Sequence, residues 1–368
     1  MTMPLLRKGT FFFPGPTEVR PVVMRAMTQP MIAHRGPRFE GMFARIQESL
    51  RQIFITTRPV YVSSSSATGL MEAAVRCAPA GRVLSIVNGA FSARFAAIVK
   101  ACARESDVID VPWGETIDLD LLAERLRATR YSVVTVVHSE TSTGALTDVR
   151  SVARMARANG AVCLVDSVTG VGAAEFRFDE WELDFALTGS QKALALPPGL
   201  AFATASSAFI EGAKAQAGRG LYFDLVEFDA YAAKNQTPNT PAIPLFFAAQ
   251  VQLAAIAEET MTTRWARHAA MASRTYEWVD ALAARHGSAL RVLATAGHRS
   301  PSVTSVVLPA SLTASTVLRA VAERGFTIGS GYGKNKETSI RIGHMGDHSV
   351  AGLERCLSAC DDAFAALL

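Results

Sequence analysis

From residue 60 to about residue 206 the chain alternates two patterns that few folds can satisfy together. Short β-branched runs occupy 60–62, 83–87, 133–137 and 161–165. Between them, segments 69–77, 91–103, 119–128 and 149–158 carry apolar residues at helical spacing. Runs that are apolar at nearly every position suit strands buried on both faces. Strands alternating with helices predict an α/β fold, a mostly parallel sheet covered on both sides. Ligands of such sheets bind beyond the carboxyl ends of the strands, so polar residues just after each strand are the first candidates for function. Helical spacing over 241–258 and 261–286 comes next. It is followed by a strand at 303–308, a helix at 314–324, a strand at 340–344 and a helix at 349–367, which predicts a smaller α+β domain.

Four of the polar positions carry chemistry. Lys192 follows a short strand at 185–188 and precedes Leu196-Pro197-Pro198-Gly199 in otherwise apolar sequence. Burial disfavours an ammonium ion and frees an amine that attacks carbonyls; taken alone, the residue reads more readily as a surface lysine in a loop, and its neighbours change that. Asp166 ends the run 161–165, where a carboxylate is costly without a partner. It suits a protonated ring nitrogen, a helix cap or a metal ligand, and no cluster of histidine and acidic residues supports the metal. Ser63-Ser64-Ser65-Ser66-Ala67-Thr68 opens a helix. Such a turn is an anion site, through free N–H groups and the helix dipole, or a plain cap. Arg341, flanked by Ile340 and Ile342, offers a planar fork for a carboxylate or for a structural ion pair.

Taken in order, Phe13-Pro14-Gly15-Pro16-Thr17, His34-Arg35-Gly36-Pro37, Ser66-Ala67-Thr68, Asn88-Gly89 with Arg94, Glu140-Thr141-Ser142-Thr143-Gly144, Asp166-Ser167-Val168, Gly189-Ser190-Gln191-Lys192-Ala193, Thr237-Pro238-Asn239-Thr240-Pro241 and Arg341-Ile342-Gly343 span nearly the whole chain. Together they resemble the class V, fold type I, pyridoxal-phosphate aminotransferases of the alanine–glyoxylate and serine–pyruvate group. The resemblance implies pyridoxal 5'-phosphate as cofactor, with Lys192 as the Schiff-base lysine and proton shuttle and Asp166 as partner of the pyridine nitrogen. It implies that Ser66, Ala67, Thr68 and Gln191 hold the phosphate, that Thr141 stands near the phenolic oxygen, and that Val168 and Phe91 flank the ring. Thr237 and Thr240 match positions that reach the phosphate of a neighbouring subunit, so a homodimer with shared sites is expected. Arg341 matches the arginine for the substrate α-carboxylate, and Gly15 the N-terminal loop over the substrate. The expected division is a segment 1–17 over the site, a large cofactor domain 18–262 and a small domain 263–368. Three positions depart from the family pattern: Ala67 stands where glycine is frequent, Phe91 where tryptophan is, and Thr237 where some members have tyrosine. Hydroxyls remain at Ser66, Thr68, Thr237 and Thr240. A related group that uses free pyridoxamine shares the Arg341-Ile342-Gly343-His344-Met345-Gly346 segment but lacks much of this hydroxyl set.

The expected reaction is ping-pong transfer of an amino group from a small amino acid, alanine or serine-like, to glyoxylate or pyruvate. The alternatives are a pyridoxamine–pyruvate type enzyme, a lyase or desulfurase, and a non-catalytic cofactor-binding partner protein. A desulfurase needs a cysteine on a loop at the site. Cys163 lies in a strand run, and Cys356 and Cys360 lie in the last helix pattern. The loop 331–336 reads as a gate or as plain surface. A net charge of +4 is spread without basic runs, which excludes a clustered nucleic-acid surface. No apolar run reaches the ~20 residues of a membrane span. The apolar stretch after Arg7 and Lys8 is short for a signal peptide. The five cysteines form no Cys-x-x-Cys pair. A cytoplasmic chain is expected.

Overall fold

The computed structural model describes residues 9–286 and 289–368. Residues 1–8, part of the segment expected over the site, lie outside the described residues. The alternation read from sequence becomes a seven-stranded sheet. Its order is Val60–Ser63, Ala201–Ala205, Phe185–Gly189, Val162–Asp166, Val133–Val137, Val83–Val87 and Ser106–Asp110. Ala201–Ala205 runs antiparallel to both neighbours, and the other recorded pairings are parallel. Val133–Val137 and Val83–Val87 are buried throughout, as expected of strands with helices on both faces. Two apolar clusters pack there, one around Phe39, Phe43 and Phe246, the other around Leu70, Phe95 and Phe185.

The helices begin close to where the spacing predicts them, at Ala67–Cys77, Ala90–Ala101, Leu119–Ala128 and Val149–Ala158. Asp118 and Asp148 cap the last two by accepting a backbone N–H, the usual role of aspartate there. A second sheet of five strands follows the order Phe11–Phe12, Thr327–Ser330, Ser339–Gly343, Val303–Val307 and Arg291–Val292. Its core gathers Trp278 and Leu282 of Met261–His286, Val317 and Val321 of Ala314–Glu323, and Leu353 and Phe364 of Val350–Ala365. The N-terminal Phe11–Phe12 thus joins the C-terminal sheet by parallel pairing with Thr327 and Ile328.

Along the large sheet the chain steps outward from Val83–Val87 to Ser106–Asp110. It then returns to Val133–Val137 on the other side. This reversal opens a crevice at the carboxyl ends, where α/β sheets bind ligands.

Two histidines sit deep in this framework. His138 Nδ1 bonds Ser167 Oγ at 2.9 Å. His344 bonds Thr304 Oγ1 at 2.8 Å and the Pro301 carbonyl at 3.0 Å. Burial holds both imidazoles down at about 4, from 6.5. The unfolded chain therefore binds protons that the fold refuses. The stability this confers is present above pH 6.5 and drains away as pH falls towards 4, by about 3 kcal/mol per histidine over the whole window. Thermal unfolding should show a lower midpoint at pH 5 than at pH 7, and His344→Gln should flatten the slope. A wild-type slope in His344→Gln would contradict neutral burial.

Candidate active site

The turn after Phe185–Gly189 puts Lys192 inside the crevice, where its side chain is buried. Lys192 Nζ donates to the Pro14 carbonyl at 2.6 Å. Gly15 lies beside it with φ +102°, and a Cβ there would come within 2.4 Å of Nζ. Only glycine lets the N-terminal segment pass this close over the amine. Asp166 closes the adjacent strand. Its carboxylate is buried, accepts the Val168 N–H at 2.8 Å and has no ion-pair partner among the described residues.

One cavity of about 270 Å³ is lined by both residues together with Gly15, Ser66, Ala67, Thr68, Phe91, Thr141, Val168 and Gln191. Ten of the thirteen positions singled out in the sequence therefore converge. Arg341 stands beside them. It donates to the carbonyls of Ser330 at 2.8 Å and Thr141 at 3.2 Å, and its guanidinium lies 5.4 Å from the Tyr332 ring centre. The structural ion pair left open for Arg341 has no counterpart among the described residues. Thr237 and Thr240 are elsewhere, lining a separate depression with Ser63, Ser64 and Tyr222.

The cavity also draws in residues that the sequence reading did not assign to it: Pro16, Met71, Arg94, Ser139, Thr169 and Tyr332. Tyr332 packs on Phe91 at 5.2 Å between ring centres, and Arg94 lies over the other aromatic partner, 5.0 Å from the Phe91 ring. Arg94 also donates to the Tyr332 hydroxyl at 3.3 Å. The segment 331–336 thus contributes a side chain to the cavity wall. Glu140 works one step behind. Fully buried, it accepts the N–H groups of Phe91 and Ser92 and the hydroxyl of Ser142, so it caps Ala90–Ala101 and holds Phe91 at the wall. The sequence marks Arg94 only through its motif and Tyr332 only as a member of the 331–336 loop, because their approach spans 238 residues of chain.

The electrostatics follow from burial. The Lys192 amine is lowered to about 8 from 10.5, by desolvation and then by Arg341, with Asp166 opposing. At pH 7 about a tenth of such an amine is uncharged, against roughly one part in three thousand at the ordinary value. The Asp166 carboxyl is pushed up to about 7, chiefly by burial. Arg341 is lowered to about 10, also by burial. A carboxyl that costly to ionise gains most from a cationic partner inside the cavity.

The Aminotransferase class-V family model matches residues 15–338. The chain belongs to the class V aminotransferases. A relative from Paracoccus denitrificans, an L-aspartate–glyoxylate aminotransferase, is 31% identical over 92% of this chain and 87% of its own length. The serine–glyoxylate aminotransferase of Arabidopsis thaliana is 30% identical over 95% of this chain and 88% of its own. Among solved structures, the alanine–glyoxylate aminotransferase of Nostoc sp. superposes with a TM-score of 0.90 at 28% identity, covering 99% of this chain and 98% of that one. This class V aminotransferase has the fold type I architecture and depends on pyridoxal 5'-phosphate.

The cavity fits that cofactor on its own chemistry. Ser66 is the N-cap of Ala67–Cys77, yet its hydroxyl makes no cap hydrogen bond. The first N–H groups of a helix have no partner within it, so hydroxyls and N–H groups together can take a phosphate. The unpaired buried carboxylate of Asp166 suits a protonated ring nitrogen. The dry amine of Lys192 suits a carbonyl.

Proposed function

We propose that this aminotransferase moves the amino group of a small amino acid, alanine or serine-like, to glyoxylate or pyruvate by a ping-pong mechanism. The observation that carries the reading is one cavity holding a buried amine, a buried carboxylate without an ion-pair partner and an open helix N-terminus, with the Arg341 guanidinium beside it and no carboxylate on that guanidinium among the described residues. The three relatives described above differ in their named donors and share glyoxylate in their names.

The bound cofactor supplies a carbonyl that condenses with amines and a ring that accepts electrons. Lys192 would be the amine that links to it and, once displaced, would carry the proton between the substrate α-carbon and the cofactor's C4′. Asp166 holds the proton on the ring nitrogen. Ser66, Ala67, Thr68 and Gln191 bind the phosphate, Thr141 stands by the phenolic oxygen, and Val168 and Phe91 hold the two ring faces. Arg341 takes the α-carboxylate through its fork. Gly15 carries the described part of the N-terminal segment, residues 9–17, over the substrate and keeps water out. Residues 18–262 form the cofactor domain and 263–368 the small domain. Four of the five cysteines are buried, and none lines the cavity, which argues against desulfurase chemistry. Five unpaired thiols go with a cytoplasmic enzyme. No helix among the described residues is long and apolar enough to cross a membrane.

Purified protein with cofactor should convert glyoxylate to glycine with alanine, serine or aspartate as donor, giving parallel double-reciprocal lines. Bound cofactor with no amino transfer from any donor would reject the reading, and sulfide release from cysteine would favour the rival.

The site is completed by a second copy of the chain, with Thr237 and Thr240 on the partner's phosphate. Support comes from their place outside their own cavity and from Leu221, 88% exposed, beside Tyr222 at the same depression. Such apolar exposure asks for cover. The double variant Thr237→Ala/Thr240→Ala should weaken cofactor binding about 10–100-fold, since each lost bond to a charged group costs ~1.5 kcal/mol. Fluorescence titration of the apoenzyme measures this. Unchanged affinity in a sedimenting dimer would remove these hydroxyls from the site.

A further inference from the structure

Three site-bearing turns share a side chain that none of the chemistry requires. Arg264 lies in the first turn of Met261–His286 and is 1% exposed. Its Nη2 donates to the Ala193 carbonyl at 2.6 Å, one residue beyond Lys192. Its Nε donates to the Gly172 carbonyl at 3.2 Å, in the turn that follows Asp166. Both Nη atoms reach Asp347 Oδ1 at 3.2 Å, in the turn that follows the strand of Arg341. Glu259, at the end of the preceding helix, completes the set at 2.5 Å.

An apolar contact repeats this convergence. Ala173, Ala193, Val303 and Met345 form a small buried cluster, which takes one residue from each of the same three turns. Gly346, at φ +84°, brings its backbone against Ala195, whose Cβ would lie 3.2 Å from a Cβ added there. Ala195 itself holds φ +50°. A non-glycine residue in the left-handed region costs ~1–2 kcal/mol and persists only where neighbours fix it. His268, one helical turn beyond Arg264, accepts the Gly346 N–H at 3.1 Å, and Arg267 donates to the Gly346 carbonyl at 3.1 Å. Thr17 supplies the remaining tether, with its N–H on the Gln191 carbonyl at 2.9 Å and its hydroxyl on the Lys192 carbonyl at 3.0 Å.

We propose that Arg264 is a positioning residue: its buried guanidinium clamps the turns after Asp166, Lys192 and Arg341, and so sets the spacing of amine, carboxylate and substrate-binding arginine. The inference rests on the roles proposed above for those three residues. A planar fork with five donors can serve carbonyls on two turns and a carboxylate on a third at once, and an ammonium on a flexible stem cannot. Asp347 anchors the clamp to the turn after Ser339–Gly343, the bonds to Gly172 and Ala193 carry it to the cofactor domain, and Arg20 grips the same carboxylate at 3.0 Å from the other side.

The test uses the full-length holoenzyme with Arg264→Lys, which keeps the charge and loses the fork, and Asp347→Asn, which keeps the shape and loses the anion. Backbone hydrogen exchange over 168–174 and 190–196 should speed up about tenfold in both, with 314–323 unchanged. The pH midpoint of the lysine–cofactor absorbance should move by about half a unit or more. Turnover should fall about tenfold with a smaller change in KM, because the loss is in alignment. A variant that melts earlier yet keeps the wild-type exchange and absorbance midpoint overturns the proposal and leaves Arg264 a fold-stabilising residue. If Arg264→Lys does not fold, Asp347→Asn decides by the same readings. Loss of the site reading itself would appear separately, as wild-type protein with no lysine-dependent absorbance, whereas the exchange comparison needs no chemistry at Lys192.

Discussion

Replacing Lys192 by alanine should lower turnover by about 10⁴-fold or more and remove the absorbance that the lysine–cofactor link produces. Two losses combine. The chain forfeits its buried nucleophile, and it forfeits the base that moves the α-carbon proton, a contribution that alone is worth about 10²–10⁴-fold. No other amine can substitute, because the other cations at the site, Arg94 and Arg341, carry guanidinium groups and not primary amines. The cofactor itself should still bind, since the Ser66–Thr68 turn does not depend on the lysine. Stability should not suffer. Lys192 is buried with its amine held below the usual lysine range by desolvation and by Arg341, so its removal relieves an unfavourable burial. The measurement is a set of single-turnover traces with alanine or serine, alongside cofactor titration and thermal melting. Retention of the absorbance band with wild-type turnover would move the reactive amine elsewhere.

The residues that the sequence singles out and the fold gathers at one crevice share one property. Lys192, Asp166 and Arg341 are charged positions set in apolar runs, and a charge there contradicts its surroundings unless it has a task. The Ser63–Thr68 turn was readable because hydroxyls outnumber what a cap requires. The mostly parallel sheet followed from β-branched runs, yet Ala201–Ala205 escaped, since Ala-Phe-Ala-Thr-Ala carries little strand propensity and gains its place by pairing with Gly189 and Ser63 on either side. Pro37–Phe54, an 18-residue helix, also went unassigned although it is amphipathic and packs on Ile243–Glu259. Arg264 was unreadable for another reason, which also limits Arg94, marked only by its motif, and Tyr332, marked only by its loop. Arg264 looks like an ordinary surface side chain in its own segment. The meaning of all three arises from segments that meet only after folding, as when Arg264 reaches the carbonyls of Gly172 and Ala193 and the carboxylate of Asp347.

Asp166→Ala should reduce kcat/KM by about 10²–10⁴-fold while leaving the lysine–cofactor link able to form. The carboxyl sits at about 7 in the bare cavity because burial penalises its charge. A protonated ring nitrogen reverses that penalty and draws the carboxyl down, and in return the carboxylate keeps the ring proton on. Removing one partner of a buried charge pair costs about 3–5 kcal/mol, which converts to the stated fold-change. The sign of the pH effect is testable without turnover. In the wild-type apoenzyme Asp166 is protonated more readily folded than unfolded, so folding is favoured as pH falls through about 7 towards the ordinary carboxyl range and disfavoured above it. Cofactor binding should abolish that dependence in the wild type, and Asp166→Ala apoenzyme should lack it from the start. Asp166→Asn separates charge from shape. It preserves the Val168 N–H contact while losing the ion, and should be as slow as the alanine variant. If Asp166→Asn turns over at the wild-type rate, the carboxylate is only a cap on the Val168 turn and the ring nitrogen needs no protonating partner from this strand.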